Sequence, residues 1–156
     1  MPRDDARKLA ELIRGFRVAM LSTIAGGEIH SRPMAVVETP FDGTLWFFTR
    51  KSAGKVEHVR GDQRVNVAFA DPDSDRYVSL SGHATIVRDA SKNRELWSPA
   101  LVAWFPGGPE DRDLVLMKIE VDAAEYWDSH VGAMVRPTLP DYSTVRSRTS
   151  TARFIG

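Results

Sequence analysis

The stretch Arg50-Lys51-Ser52-Ala53-Gly54-Lys55 places cations and a hydroxyl directly after an apolar run, Leu45-Trp46-Phe47-Phe48-Thr49. The apolar run is rich in aromatic residues and reads as a buried strand. A helical pattern begins after it, with Val56 and Val59 inward and Lys55, Glu57 and Arg60 outward. Ser52 is its expected N-cap. A strand end, a hydroxyl, cations and a helix N-terminus together suit an anion, most naturally a phosphate. Arg32, on the neighbouring strand, can complete the cradle, its planar fork beside the point charge of Lys55. Arg50 and Lys51 are further candidates, although consecutive residues on a strand end point opposite ways. Taken without its surroundings, Lys55 also reads as one charge on a solvated helix face.

Other chemistries find little support. The chain has no cysteine, which excludes disulfides, thiol catalysis and thiolate metal sites. Neither a Gly-x-Ser-x-Gly elbow nor a Gly-x-Gly-x-x-Gly turn occurs, and Gly54-Lys55 lacks the upstream glycine of a P-loop. His30, His58, His83 and His130 show no metal-ligand spacing and read as separate surface or hydrogen-bonding residues. Asp71, Asp73 and Asp75 alternate as in a calcium loop, but the glycine and terminal glutamate of that loop are missing, so they read as a solvated turn. With 21 basic and 21 acidic residues the formal charge is zero, which argues against a nucleic-acid partner. No apolar run is long enough to cross a bilayer and the N-terminus does not resemble a signal peptide, so a cytoplasmic protein without a membrane partner is expected.

The elements that must hold the site follow from periodicity. The 156 residues, 42% of them hydrophobic, suit one domain around a single core. Residues 4–14 carry a helical pattern, with Asp4 or Asp5 as cap and Gly15 as terminator. Strands are expected over residues 17–24 and 28–37, joined by Ala25-Gly26-Gly27, with Pro33 marking an edge or a bulge. Further strands fall at 44–49, 64–70, 77–88, 114–121 and 125–127, and a helix holding Leu96 and Trp97 starts at Asp89. Many short strands with few helices predict a small antiparallel barrel. The pattern fails from Ser129, and the 131–156 region reads as a tail, irregular or laid over a partner.

Several pieces, in order, carry a family resemblance: Ser31-Arg32-Pro33-Met34, Leu45 to Thr49, residues 52–56 (SAGKV), 65–72 (VNVAFADP), 77–82 (YVSLSG), 96–99 (LWSP), 103–109 (AWFPGGP) and 125–128 (EYWD). In these the chain resembles the FMN-binding split-barrel proteins related to pyridoxamine 5'-phosphate oxidase, and among them the short bacterial branch called general stress protein 26-like. The resemblance implies a mainly β fold, a six-stranded antiparallel split β-barrel with flanking helices over residues 1–130. It also implies FMN as cofactor at the interface of a homodimer. Arg32, Pro33, Met34, Ser52 and Lys55 would then meet the cofactor, with Phe48 and Thr49 beside its ring, which wants backbone N–H and hydroxyl donors at its polar edge. Trp104 and Trp127 are the aromatic candidates through which a second subunit closes the site; each reads equally as packing in a small barrel. The long arginine-leucine-containing end of true pyridoxamine phosphate oxidases has no counterpart here, so that activity is not expected. The function implied is flavin binding, with oxidoreductase chemistry on a small substrate and a link to stress response. The alternatives are a non-catalytic flavin-binding stress or redox protein, or a same-fold enzyme using deazaflavin or haem, the last requiring a histidine as axial ligand.

Overall fold

The computed structural model describes residues 2–139, with side chains from residue 6 onward. A first helix, α1 (Pro2–Ile13), leads into strands β1 (Val18–Ala25), β2 (Glu28–Ala35) and β3 (Thr44–Arg50). Helix α2 (Gly54–Gly61), strands β4 (Arg64–Asp71) and β5 (Arg76–Val87), and helix α3 (Ala90–Leu96) follow. A 3-10 turn (Pro99–Ala103) precedes β6 (Leu114–Asp128) and β7 (Ala133–Val135). The strands pair antiparallel in the order β2-β1-β4-β5-β6-β3, and β7 joins the free end of β6. The expected mainly β, antiparallel architecture with flanking helices is therefore present, with six strands on the path and β7 added to it. Among the described residues β2 and β3, the two ends of that path, do not pair with each other.

Local chemistry explains the elements. The β1–β2 hairpin turns through Gly26 and Gly27, both at positive φ (59° and 77°), the geometry a two-residue primed turn demands. Pro33 sits on β2, which among the described residues pairs only with β1, so it lies on an edge strand as expected. In β5, Val78, Leu80, Gly82 and Ala84 are buried while Ser81, His83 and Thr85 are exposed, a clean period of two. Asp89 caps α3 by accepting from the Lys92 N–H at 3.1 Å.

Two expectations change. The strands expected at 114–121 and 125–127 are one continuous strand, β6, whose register shifts opposite Ser81 and Gly82. That irregularity absorbs Asp122, the residue skipped between the Ala123 and Val121 pairings. Gly82 is required there, because a Cβ would strike the Glu120 carbonyl. Past Ser129, Ala133–Val135 pair with Tyr126, Trp127 and Asp128, a strand of three residues and too short to leave a periodic signal. The rest of the expected tail, residues 140–156, lies outside the described residues.

The core divides around β3. Phe47 packs on one side with Leu21, Val67, Leu80 and Ile119, and Phe48 packs on the other with Leu101, Leu114 and Leu116. Strand alternation sends the two rings to opposite faces, and both faces are covered. Each buried phenylalanine contributes roughly 1.5–3 kcal/mol. Arg76 ties α1 to the sheet, donating to the Leu12 and Arg14 carbonyls (3.1 and 2.9 Å), pairing with Asp71 at 3.1 Å and lying 4.6 Å over the Phe16 ring.

Candidate functional site

The unpaired edges of β2 and β3 meet at a cavity of about 130 Å³. Pro33, Met34 and Ala35 come from β2, Phe48, Thr49 and Arg50 from β3, Ala53 and Lys55 from the start of α2, and Trp104 and Phe105 from the loop after the 3-10 turn. Six of the nine sequence-predicted residues therefore line one space: Pro33, Met34, Phe48, Thr49, Lys55 and Trp104. Pairing of Thr49 with Val115 and Arg50 with Leu114 fixes the β3 end. The Phe48 ring is held edge-on to Trp97 at 5.7 Å.

Thr49 is the polar group of this cavity that lacks a partner. It is 1% exposed, and its Oγ1 has no hydrogen-bond partner among the described residues. A buried unbonded hydroxyl costs about 1–3 kcal/mol. Such an atom on a cavity wall is one that a ligand can satisfy.

Lys55 is half-buried, with Nζ 3.3 Å from the Met34 sulfur, a weak acceptor. Burial, and then the neighbouring Arg32 charge, lower its pKa. Burial also lowers that of Arg32, whose Nη1 donates to the Leu21 carbonyl at 3.1 Å and whose Nη2 lies 3.5 Å from His58 Nδ1. Neither cation is ion-paired with a carboxylate among the described residues. Two half-buried positive charges side by side disfavour each other, and an anion between them would relieve both. Arg50 is different, since its guanidinium lies 3.8 Å from Asp111 and 5.8 Å from the Phe105 ring centre.

The expected cap role of Ser52 is corrected. Ser52 is exposed and donates to Asp113 Oδ2 at 3.0 Å, while the Lys51 N–H donates to the Asp113 carbonyl. These bonds hold residues 51–53 in a turn and delay the helix, so Ala53 becomes the N-cap, with no side-chain hydrogen bond. Ser52 does not line the cavity. Trp127 lies at the far end of β6, opposite Met134, and is remote from the cavity of its own chain. Trp104 stands at the cavity wall, 41% exposed. Sequence reasoning missed Phe105, and it passed over His58 as an isolated histidine. The spacing of Lys55 and His58, three apart on one helix face, was the signal available.

A larger cavity of about 420 Å³ lies between α1, residues 36–41 and the first half of β3, lined by Phe16, Val36, Phe41, Trp46 and Phe69 among others. Among the described residues its lining includes none of the predicted residues, and neither Thr49 nor Lys55. Size alone does not make it the better candidate. Among the described residues no group of three or more histidine and carboxylate side chains could hold a metal ion, and no helix is long and apolar enough to cross a membrane.

Comparison with known proteins adds to this geometry. Residues 4–139 match the family described as pyridoxamine 5'-phosphate oxidase like. General stress protein 26 of Bacillus subtilis is 30% identical over 122 residues, which is 76% of this chain and 84% of that protein. Protein bli-3 of Neurospora crassa is 32% identical over 109 residues, 64% of this chain but 52% of that protein, so the match spans about half of its length. Among solved structures, the general stress FMN/FAD binding protein of Xanthomonas citri superposes with a TM-score of 0.70 at 28% identity, covering 88% of this chain and 99% of that one.

Proposed function

Because the chain belongs to the pyridoxamine 5'-phosphate oxidase-like family, we propose that the seam between β2 and β3 binds a flavin nucleotide, FMN, and that two copies of the chain share it. The observation that carries this reading is an unpartnered, buried Thr49 hydroxyl and the uncompensated Lys55 charge on one cavity, with Arg32, which does not itself line the cavity, beside Lys55. The ring edge of a flavin offers acceptors and donors, and its phosphate is a dianion. The donor set fits such a molecule: a hydroxyl and aromatic wall for the ring, and cations for the phosphate.

Size and exposure support the homodimer part of this reading. A cavity of about 130 Å³ is well below the roughly 300 Å³ at which pockets begin to enclose ligands of this size. Val18 and Met20 are 41% and 42% exposed on β1, beside the β2 edge, with Met20 opposite Pro33. A second copy over this face would cover them with Trp104 and complete the cavity.

Flavin, when bound, supplies two-electron redox chemistry. Thr49 would orient the ring through its hydroxyl, Phe48 and Phe105 would exclude water, and Lys55 with Arg32 would anchor the phosphate. Among the described residues no aspartate, glutamate or histidine lines the cavity, so protons would come from solvent or substrate. The reading is an FMN-dependent oxidoreductase of the stress-protein branch, cytoplasmic and acting on a small substrate, with no pyridoxamine phosphate oxidation. The absorption spectrum of the purified protein tests the cofactor, and sedimentation at several concentrations, with and without FMN, tests the shared site. A haem or deazaflavin spectrum, or a monomer with full FMN affinity, would overturn it.

A further inference from the structure

His58 stands behind Arg32, outside the cavity lining. It lies one turn along α2 from Lys55. Its Nδ1 is 2.9 Å from Oγ1 of Thr23, a residue with no exposed surface, and 3.5 Å from Arg32 Nη2. Its ring centre lies 5.1 Å from that of His30, the cross-strand partner of Thr23. A guanidinium only donates hydrogen bonds, so the nitrogen facing it must offer a lone pair; this assigns the ring proton of His58 to Nε2. Nδ1 has one lone pair, which the Thr23 hydroxyl at 2.9 Å and the guanidinium at 3.5 Å then share. At its other end Arg32 donates to the Leu21 carbonyl at 3.1 Å.

The planar fork of Arg32 is thus bonded to a strand carbonyl at 3.1 Å and flanked at 3.5 Å by a histidine that is itself held by a buried threonine. Two of its five N–H groups are engaged, which leaves three for an anion. A long side chain free in solution loses rotamer entropy when a ligand fixes it, and one fixed beforehand loses little.

We propose that His58 is the positioning residue of the anion clamp: with Thr23 it sets the Arg32 fork and so makes the site select a phosphate-ended ligand over the same ring without phosphate. This rests on the flavin reading above. It adds a determinant of specificity that no cofactor atom touches. The effect should equal the ordering cost of one long side chain, about 3- to 10-fold in affinity.

The test is fluorescence titration of the apoprotein with FMN and with riboflavin. His58→Leu keeps the bulk but removes the acceptor; it should weaken FMN by about 3- to 10-fold and leave riboflavin unchanged. His58→Asn, which returns an acceptor near Nδ1, should restore most of the loss. In an Arg32→Ala background His58→Leu should have no further effect, since nothing is left to position. Should His58→Leu fail to fold, Thr23→Val removes only the hydroxyl behind the ring and should give the same FMN-selective loss. Equal losses for both ligands, or full additivity with Arg32→Ala, would show that His58 only packs and would overturn the proposal. A wild-type chain that binds neither ligand overturns the flavin reading and this inference with it. A wild-type preference for FMN that is undiminished in His58→Leu overturns the inference alone.

Discussion

Arg32 and Lys55 lie close enough for the arginine charge to lower the lysine pKa, and neither has a carboxylate partner among the described residues. Proteins ordinarily pair half-buried cations, so this corner carries an electrostatic cost that an anion would remove.

Lys55→Ala should therefore weaken FMN and spare riboflavin. A hydrogen bond to a charged group contributes roughly 1.5–3 kcal/mol, or about 10- to 150-fold in affinity. Titration of apoprotein with both ligands measures it. Loss of neither, or equal loss of both, would take Lys55 away from the phosphate.

Thr49→Val should act in two directions. It removes a buried hydroxyl with no partner, so the empty protein should gain about 1 kcal/mol in a urea melt. FMN and riboflavin should both bind roughly 2- to 10-fold more weakly, because the proposed partner is the ring they share. A destabilised empty protein would mean the hydroxyl is already satisfied.

Arg76→Ala should destabilise the fold without changing ligand preference. It loses two carbonyl bonds, the Asp71 pair and the Phe16 ring contact, so a loss of about 2 kcal/mol is expected. For a chain of this size that lowers the melting temperature by roughly 4–8 °C in calorimetry. Arg76→Lys should recover only part, since an ammonium cannot span both carbonyls and the carboxylate.

Acid sensitivity should involve Asp62. Hydrogen bonds from the Arg64 side chain and backbone lower its pKa from 3.8 to about 2. The folded value lies below the unfolded one, so the contribution is present above about pH 4 and is lost as pH falls towards 2. Asp62→Asn should flatten the stability profile in that window and leave its shape above pH 5 unchanged. Circular dichroism melts between pH 2 and 7 would show it.

The parts of this molecule that were legible in the sequence are those with a repeated local signal. The alternation of β5 and the Gly26-Gly27 turn each report through several neighbouring residues. The β3 end and Lys55 were legible because strand, cations and helix follow in one short segment. Ser52 was misread because its competitor, Asp113, is far away in sequence and captures the hydroxyl only after folding. Strand β6 reads as two because Asp122 and two small alanines interrupt the apolar alternation until the partner strand supplies the irregularity at Gly82. His58 and Thr23 were invisible for the same reason as Asp113: their importance lies in what they face.

Helix α2 has Ala53 at its N-cap, without a side-chain cap, and it is only eight residues long. A helix this short draws little stability from its own hydrogen bonds. If an anion supplies the missing acceptor, the empty chain is the one whose α2 frays first, bringing Val56 and Val59 towards water. Proteases cut opened segments in preference to folded ones. Occupied and empty molecules would then differ in lifetime inside a cell, and the amount of this protein present would follow the supply of the ligand that closes the helix.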